Sequence, residues 1–185
     1  YDGTGAIRDM LQNHLTQLMM LTAMEAPPVY DADSVRDEKA KVLRSIPEVS
    51  LHNVVLGQYT KGTCNGEPCP GYLEDEGVAP DSQTPTFVAA EVRIHNWRWT
   101  GVPFYLRTGK RLPQGTRRIV VNFHCPPLAL FERFDDAAVH PNALTITIEP
   151  NEGFELTIDV KAPGDMLTLR EHRLQLLAMS TLAAG

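Results

Sequence analysis

The order of the elements along the chain restricts its fold more than any other feature of the sequence. Segments with helical periodicity come first, between residues 5 and 46, and seven short segments rich in β-branched and aromatic residues follow between residues 52 and 174. No helical segment separates the candidate strands, so they are expected to pair mainly antiparallel. The sequence therefore predicts an α+β fold in which a mainly antiparallel sheet carries the N-terminal helices on one face.

The first helical segment, GAIRDMLQNHLTQLMMLTAME over residues 5–25, carries a histidine within its apolar stripe. At 100° per residue the stripe consists of Ile7, Met10, Leu11, Leu15, Leu18 and Leu21. His14 falls inside this stripe and is expected to point toward the core or a cleft, with Asp9 and Asn13 on an adjacent flank. Two roles fit this position: a core histidine bonded to a backbone carbonyl, and a general base, since imidazole titrates near neutral pH.

The second helix and the strands give further expectations. Ser34 is predicted to cap a helix that Pro47 ends. The buried face of this helix is predicted to consist of Val35, Val42, Leu43 and Ile46. Strict alternation in LTITIE and ELTIDV predicts a sheet with one buried face and one face toward solvent or a partner. Hairpins are expected at EPNEG and APGD, with a longer loop over residues 62–85, and Trp97 and Trp99 are expected to be core or interface anchors.

Composition and charge argue against several classes of partner. The chain has 23 acidic and 17 basic side chains and no block of Lys and Arg long enough to follow a phosphate backbone, so nucleic acid is not an expected partner. No apolar run reaches the length of a membrane span and no charged leader opens the chain, which predicts a cytoplasmic protein without a membrane partner. Cys64 and Cys69 in CNGEPC are spaced to close a loop or to supply two metal ligands. No second Cys or His pair follows at zinc spacing, so no metal site is predicted.

A cluster of cations marks the end of one candidate strand. The segment RTGKR, residues 107–111, places two arginines, a lysine and a glycine after an apolar run. This pattern is typical either of a solvated turn or of a contact to an anion or hydroxyl, since lysine supplies a charged donor and glycine allows close approach to the backbone. By contrast, GTGAIR is not a dinucleotide fingerprint, because no strand precedes it and no third glycine follows.

Five segments of the chain follow one another in a recognisable order: GAIRDMLQNHLTQLMMLTAMEAPP, VRDEKAKVLRSI, NVVLGQY, GVPFYLRTGKRLP and EPNEGFELTIDVKAPG. Together they resemble the glucose-6-phosphate dehydrogenase family over residues 1–175, which leaves 176–185 as an apolar tail outside the resemblance. The resemblance implies a partial C-terminal domain for substrate binding and dimerisation, from a two-domain dehydrogenase whose dinucleotide-binding domain is absent. The start at Tyr1 and the uncharged end LLAMSTLAAG are expected to be cut ends.

The resemblance also implies an activity and a set of site residues. The family oxidises glucose 6-phosphate at C1 to 6-phosphogluconolactone and passes the hydride to NADP or NAD, as the first step of the pentose phosphate pathway. His14 matches the family's general base, and Asp9 and Lys110 match residues that contact the substrate. Gly115 occupies the position of a second substrate-contacting cation, which leaves Arg117 or Arg118 as candidates to replace it.

Two functions stay open at this point. The first is an NADP-dependent glucose-6-phosphate dehydrogenase of which this chain supplies the general base and part of the sugar site, assembled as a homo-oligomer through its sheet. The second is a non-catalytic assembly or dimerisation module, because the resemblance implies that family sheets of this kind form the subunit interface. The family's phosphate-binding segment RIDHYLGK does not occur in this sequence.

Overall fold

The computed structural model describes residues 5–64, 66–125, 141–164 and 169–177, and of Cys64 only the backbone. The chain divides into two compact units, residues 1–113 and residues 114–185. All strand pairs among the described residues are antiparallel. The predicted α+β fold is confirmed, because helices lie at the start of the first unit and strands follow in both units.

The first helical segment consists of two parts with different hydrogen bonding. Residues Ile7–Leu15 form a π-helix, called the π segment below, and Thr16–Ala23 continue it as the α-helix α1. The predicted apolar stripe is wrong in α1: Leu21 is 48% exposed, whereas Met19, Met20 and Ala23 are buried. The physical reason is that i→i+5 bonds widen the turn, so the register counted at 100° per residue is lost within the π segment.

The second helix, α2, spans Ala32–Arg44 and is capped by Asp31 rather than by Ser34. The Asp31 carboxylate accepts hydrogen bonds from the backbone N–H groups of Asp33 at 3.0 Å and Ser34 at 2.8 Å, which satisfies donors that a helix leaves free at its start. Ser34 lies in the first turn and donates its hydroxyl to the same carboxylate at 3.0 Å. Of the predicted buried face Val42 is buried, but Leu43 is 52% exposed.

Five strands belong to the first unit: β1 Val54–Gly57, β2 Gly62–Cys64, β3 Glu67–Cys69, β4 Phe87–Arg93 and β5 Pro103–Gly109. β1, β4 and β5 form a sheet in that order, while β2 and β3 form a small hairpin within the predicted long loop. Burial alternates along β4, whose inward residues Val88, Ala90 and Val92 are buried. This alternation shows that the sheet covers a core on one face.

The helices pack on this sheet through a small apolar cluster. Met20, Ala23, Val42 and Ile94 are its buried members, and Trp99 and Phe104 are partly buried against it. The Trp99 indole N–H donates to the carbonyl of Ala23 at 2.9 Å, and the Trp99 and Phe104 rings meet edge to face at 5.1 Å. Trp99 is therefore a core anchor as predicted, whereas Trp97 is fully exposed.

The second unit contains four strands: β6 Arg117–Asn122, β7 Ala143–Glu149, β8 Gly153–Lys161 and β9 Leu169–Leu177. They form a sheet in chain order, and the hairpin predicted at EPNEG joins β7 to β8. The described part of this unit is a single layer, and residues 143–148 and 155–160 are all half-buried. Alternating sequence produces a buried face only where a second layer covers the sheet, so the predicted alternation of burial is wrong here.

Two expectations fall largely outside the described residues. The turn predicted at APGD is described only as far as residue 164, and the apolar tail only as far as residue 177. Cys69 on β3 is a free cysteine.

Candidate active site

The three predicted site residues lie on two elements of the first unit. Asp9 and His14 are on the π segment, and Lys110 directly follows β5, which packs against that segment. His14 and Lys110 are exposed and Asp9 is half-buried. Of the two directions expected for His14, toward the core or toward a cleft, the core is wrong, and so is the role of a core histidine bonded to a backbone carbonyl.

The π-helical register brings Asp9 and His14 to the same side of their helix. In an α-helix, residues five positions apart are separated by about 140° around the axis, on nearly opposite faces. In a π-helix the hydrogen bonds join residues five positions apart, so such residues lie in adjacent turns. Both the backbone N–H of Thr16 and its hydroxyl donate to the carbonyl of Leu11, the hydroxyl at 2.7 Å, which closes the last π turn. Asp9 and His14 therefore lie on one side of the π segment.

Two backbone hydrogen bonds attach both parts of the site to adjacent residues before β4. The N–H of Ala6, at the start of the helix, donates to the carbonyl of Pro85 at 3.1 Å. The N–H of Lys110 donates to the carbonyl of Thr86 at 2.9 Å. The start of the π segment and the end of β5 are thus fixed to consecutive carbonyls, which joins the segment carrying Asp9 and His14 to Lys110.

Thr86 is the buried centre of this framework. It is 1% exposed, its N–H donates to Gly57 at 2.9 Å, and its hydroxyl accepts from the N–H of Tyr59 at 3.0 Å. The Gln58 side chain donates to the carbonyls of Ser82 at 2.8 Å and Thr84 at 2.9 Å. Buried polar groups that are all bonded hold the backbone rigidly, so this framework places the site residues reproducibly.

The cations of RTGKR do not have equivalent surroundings. Arg107 and Lys110 are exposed, while Arg111 donates to the carbonyl of Pro70 at 2.6 Å and to Asp75 at 3.1 Å. A side chain at Gly109 would place its Cβ 2.8 Å from the Phe87 ring, so this glycine allows strand packing rather than ligand approach. The turn is therefore partly structural, and no pattern in RTGKR indicates that Arg111 is the cation with this role.

Tyr59 completes the surroundings of Arg111. The Arg111 guanidinium lies 4.6 Å from the centre of the Tyr59 ring, and the Tyr59 hydroxyl donates to Asp75. Burial, together with this hydrogen bond, raises the pKa of Tyr59 from its ordinary value of 10.0 to about 12, so its hydroxyl stays protonated and remains a donor even at alkaline pH. We call Arg111, Tyr59, Asp75 and Pro70 the Arg111 cluster. Sequence reasoning missed it.

The candidates for a second cation lie in the second unit. Arg117 forms an ion pair with Glu149 on β7 at 2.8 Å, and both side chains are more than half exposed. Arg118 lies opposite Thr147 in the sheet register and is also exposed. The replacement of the missing cation at Gly115 by either arginine stays a prediction.

The described residues do not form a nucleotide site of the usual dehydrogenase kind. Such a site needs parallel strands with a crossover helix and a glycine-rich first turn, and every strand pair described is antiparallel. None of the described residues is therefore assigned to NADP. Among the described residues, no group of three or more His, Cys, Asp or Glu is placed to hold a metal, and no helix is long and apolar enough to cross a bilayer.

The site residues lie on an open surface of the first unit. The described surface has a depression of about 390 Å³ lined by Pro28 and residues of α2. A second depression of about 510 Å³ is lined by residues of the β2–β3 hairpin together with Lys61, Pro70 and Glu74. Neither depression is lined by Asp9, His14 or Lys110. A substrate bound at these three residues would need further contacts to be enclosed.

Comparison with known proteins identifies relatives at high similarity. The chain is 49% identical over 169 residues to glucose-6-phosphate 1-dehydrogenase of Treponema pallidum, and 47% identical over 168 residues to that of Aggregatibacter actinomycetemcomitans. Each alignment covers 89% of this chain and 33% of the relative, so the chain spans about a third of the length of these curated relatives.

A solved structure shows the same fold. A glucose-6-phosphate dehydrogenase in complex with its substrate glucose-6-phosphate superposes with a TM-score of 0.85 at 38% identity, covering 95% of this chain and 35% of that protein. The family model for the glucose-6-phosphate dehydrogenase C-terminal domain matches residues 1–184, which extends past residue 175, where the resemblance was expected to end. The chain therefore belongs to the glucose-6-phosphate dehydrogenase family, as part of its C-terminal domain.

Proposed function

We propose that this chain is the substrate-binding part of a longer enzyme, called the parent enzyme below. The parent enzyme oxidises glucose 6-phosphate to 6-phosphogluconolactone in the cytoplasm, with NADP as the hydride acceptor. The observation that carries the proposal is the attachment of the π segment and of Lys110 to the consecutive carbonyls of Pro85 and Thr86. Support also comes from the similar solved structure, which is a complex with glucose-6-phosphate.

His14 is proposed to be the general base. As the C1–H bond gives up its electron pair as hydride, the C1 hydroxyl loses its proton to the imidazole and the carbon–oxygen double bond of the lactone forms. Imidazole is an effective base at neutral pH, and removal of the proton as the hydride leaves avoids a high-energy protonated carbonyl. The exposed position of His14 makes the imidazole accessible to a bound sugar. The hydride acceptor is not held by the described residues, so only the proton transfer is assigned to this chain.

Asp9 and Lys110 are proposed to orient the sugar. An ionised carboxylate accepts hydrogen bonds from sugar hydroxyls, and an ammonium group donates to their oxygens, so together the two residues recognise both sides of a hydroxyl. Asp9 and His14 lie on the same side of the π segment. Asp9 can therefore bind the sugar ring while the His14 imidazole reaches the C1 hydroxyl. Lys110 lies outside the proton transfer and is expected to bind the ground state and the transition state similarly.

The parent enzyme is also proposed to form a homo-oligomer through the four-stranded sheet of the second unit. Support comes from apolar side chains that share one face of β8 and β9 and are about half exposed or more: Phe154, Leu174 and Leu176 at 49–67%. Exposed apolar patches of this kind are typical of surfaces that a partner covers.

Replacing His14 by asparagine in the parent enzyme tests the proposal. We expect kcat/KM to fall at least about 100-fold, mainly through kcat, because the general base is lost while the substrate contacts remain. His52→Asn is the matched control, since His52 is another exposed histidine of the same unit, and it should leave both constants unchanged. Near-normal turnover of His14→Asn would contradict the assignment and would favour a non-catalytic assembly module.

A further inference from the structure

Arg111 follows Lys110 directly, and its surroundings differ from those of an ordinary turn residue. We propose that Arg111 is a positioning residue, which fixes the backbone of the turn so that the Lys110 ammonium group points at the substrate. The proposal rests on the proposed substrate contact of Lys110, and Arg111 itself touches no substrate in it.

The backbone of Arg111 adopts an unfavourable conformation. Its φ is +55°, in the left-handed region that side chains with a Cβ rarely occupy, and the only other such non-glycine residue among the described ones is Asn151. Asparagine tolerates this region through local side-chain hydrogen bonds, but arginine has no such means. A strained residue persists only where its surroundings hold it, so the contacts of the Arg111 side chain explain how this turn is maintained.

Three contacts hold the guanidinium group. It donates to the Pro70 carbonyl at 2.6 Å and to the Asp75 carboxylate at 3.1 Å, and it stacks on the Tyr59 ring at 4.6 Å. The Tyr59 hydroxyl binds the same carboxylate, and its ring meets Tyr72 edge to face at 5.6 Å. The Arg111 and Asp75 side chains are only 33% and 26% exposed, so solvent screens this ion pair less than it screens a surface pair.

The contacts form a closed ring around Lys110. The N–H of Lys110 binds the carbonyl of Thr86, the Thr86 hydroxyl accepts from the N–H of Tyr59, and the Tyr59 ring lies under the guanidinium of Arg111, which is bonded covalently to Lys110. Lys110 is thus fixed on its N-terminal side through Thr86 and on its C-terminal side through Arg111. Both attachments lead to Tyr59. Loss of the Arg111 side-chain contacts would therefore free the C-terminal side of the turn, while the hydrogen bond to Thr86 still holds the N-terminal side.

Arginine is suited to this task for a geometric reason. A planar guanidinium can donate in two directions while it stacks on an aromatic face, and a lysine ammonium cannot do both with the same geometry. Arg111→Lys should therefore keep the charge beside Asp75 and restore part of the effect, whereas Arg111→Ala should lose all three contacts and keep the backbone strain.

The experiment measures KM and kcat for glucose 6-phosphate in the parent enzyme. We expect Arg111→Ala to raise KM at least about fivefold with kcat within about twofold of the starting enzyme, because a misplaced ammonium weakens substrate binding and does not affect the proton transfer. The KM of Arg111→Lys should lie between the KM of the starting enzyme and that of Arg111→Ala. Arg98→Ala is the matched control: Arg98 also pairs with a carboxylate, Glu25 at 2.8 Å, and stacks on Trp99 at 5.5 Å, and this variant should leave KM unchanged.

Combination with Lys110→Ala shows whether Arg111 acts through Lys110. Lys110→Ala alone should raise KM, and adding Arg111→Ala to it should raise KM no further, since a residue that positions an ammonium has no effect once the ammonium is gone. Multiplied effects would overturn the proposal, as would a normal KM for Arg111→Ala beside a raised KM for Lys110→Ala. A normal KM for Lys110→Ala would instead overturn the substrate contact on which the proposal rests.

Two milder variants keep the test decisive if Arg111→Ala does not fold. Arg111→Lys then carries the comparison together with Tyr59→Phe, which removes the hydroxyl that donates to Asp75 and leaves the ring under the guanidinium. Both should fold and raise KM by less than the fivefold expected above, with kcat unchanged. Normal KM values in both would overturn the proposal.

Discussion

The π segment and α1 are two halves of one continuous helical run, and they differ in what their residues do. α1 buries Met19, Met20 and Ala23, and Met20 and Ala23 join the core cluster with Val42 and Ile94. The π segment buries none of its nine residues, yet it carries Asp9 and His14. Full burial is thus confined to the half with ordinary α-helical register, and the proposed polar chemistry lies in the half whose register departs from it.

The hydrogen bonds of the π segment explain why an unusual register is tolerated here. A π-helix is rare and occurs mostly as single turns, frequently at functional sites. In this chain it is held at both ends, by the bond from Ala6 to Pro85 and by the bonds from Thr16 to Leu11. Because none of its side chains is fully buried, the π segment can use the register that aligns Asp9 with His14.

Among substitutions that test the difference between α1 and the π segment, Met20→Ala in α1 is expected to have the largest effect on stability. Met20 is 6% exposed in the core cluster, so its truncation should lower the free energy of unfolding by about 2–4 kcal/mol through lost burial and a cavity. Urea unfolding of the 185-residue chain, followed by tryptophan fluorescence, measures this, because both tryptophans, Trp97 and Trp99, lie in the first unit.

Leu21→Ala is the matched control for Met20→Ala. Leu21 is the neighbouring residue of α1 but is 48% exposed, so its truncation should cost less than about 1 kcal/mol. In the parent enzyme, folded Met20→Ala should retain kcat/KM within about twofold. A large loss of activity at unchanged stability would show that α1 shares the chemistry and would end the distinction between the halves.

A smaller effect is expected at the junction of the two halves. Thr16→Val removes the hydroxyl that binds Leu11 across the last π turn, and loss of one such bond should destabilise the π register by about 1 kcal/mol relative to the α-helical register. This lowers the equilibrium constant between the two registers about fivefold, so kcat/KM should fall by up to about fivefold. Thr22→Val is the control, because the Thr22 hydroxyl makes an equivalent bond to Leu18 at 2.8 Å within α1. Steady-state kinetics of the parent enzyme should show a loss of kcat/KM only for Thr16→Val. Equal kinetics for both variants would show that activity does not depend on the π register.

Sequence periodicity located the elements but not the register of the first helix. Each of the seven candidate strands contains a strand, and both helical segments are helical, since local propensity and turn residues decide these features. The π segment was not predictable, because Ile7, Met10 and Leu11 also fit an α-helical stripe. The error then carried forward to Leu21, whose exposure reflects the altered register.

The site residues were predictable from short motifs, while their support was not. Asp9, His14 and Lys110 follow from the resemblance of two local segments, and their roles stay predictions. Arg111 stands in the same RTGKR motif as Lys110, but its partner Asp75 lies 36 residues away in sequence. Only the folded chain brings Arg111, Tyr59 and Asp75 together, so no pattern within the motif could separate the structural cation from the others.

The smallest effect concerns α2, which supports the packing half because Val42 contacts the cluster of Met20 and Ala23. Hydrogen bonds from the backbone and hydroxyl of Ser34 lower the pKa of the Asp31 carboxyl below its ordinary value of 3.8. A lowered folded-state pKa means that the ionised cap stabilises the fold above the unfolded pKa, and that this contribution is lost as the pH falls through the folded pKa.

Asp31→Asn keeps a capping side chain without the charge. At pH 7 it should lower the free energy of unfolding much less than Asp31→Ala does. The decline of stability between pH 5 and pH 3, about one unit either side of the ordinary pKa of 3.8, should be smaller in Asp31→Asn than in the starting chain. Asp33→Asn is the control in the same turn, since Asp33 only pairs with Arg36 on the surface. Urea unfolding of the 185-residue chain across this pH range decides the matter: an unchanged decline in Asp31→Asn, or an equal change in Asp33→Asn, would remove the cap as a source of pH dependence, and a change in kcat/KM of the parent enzyme at pH 7 would show that α2 also supports the π segment.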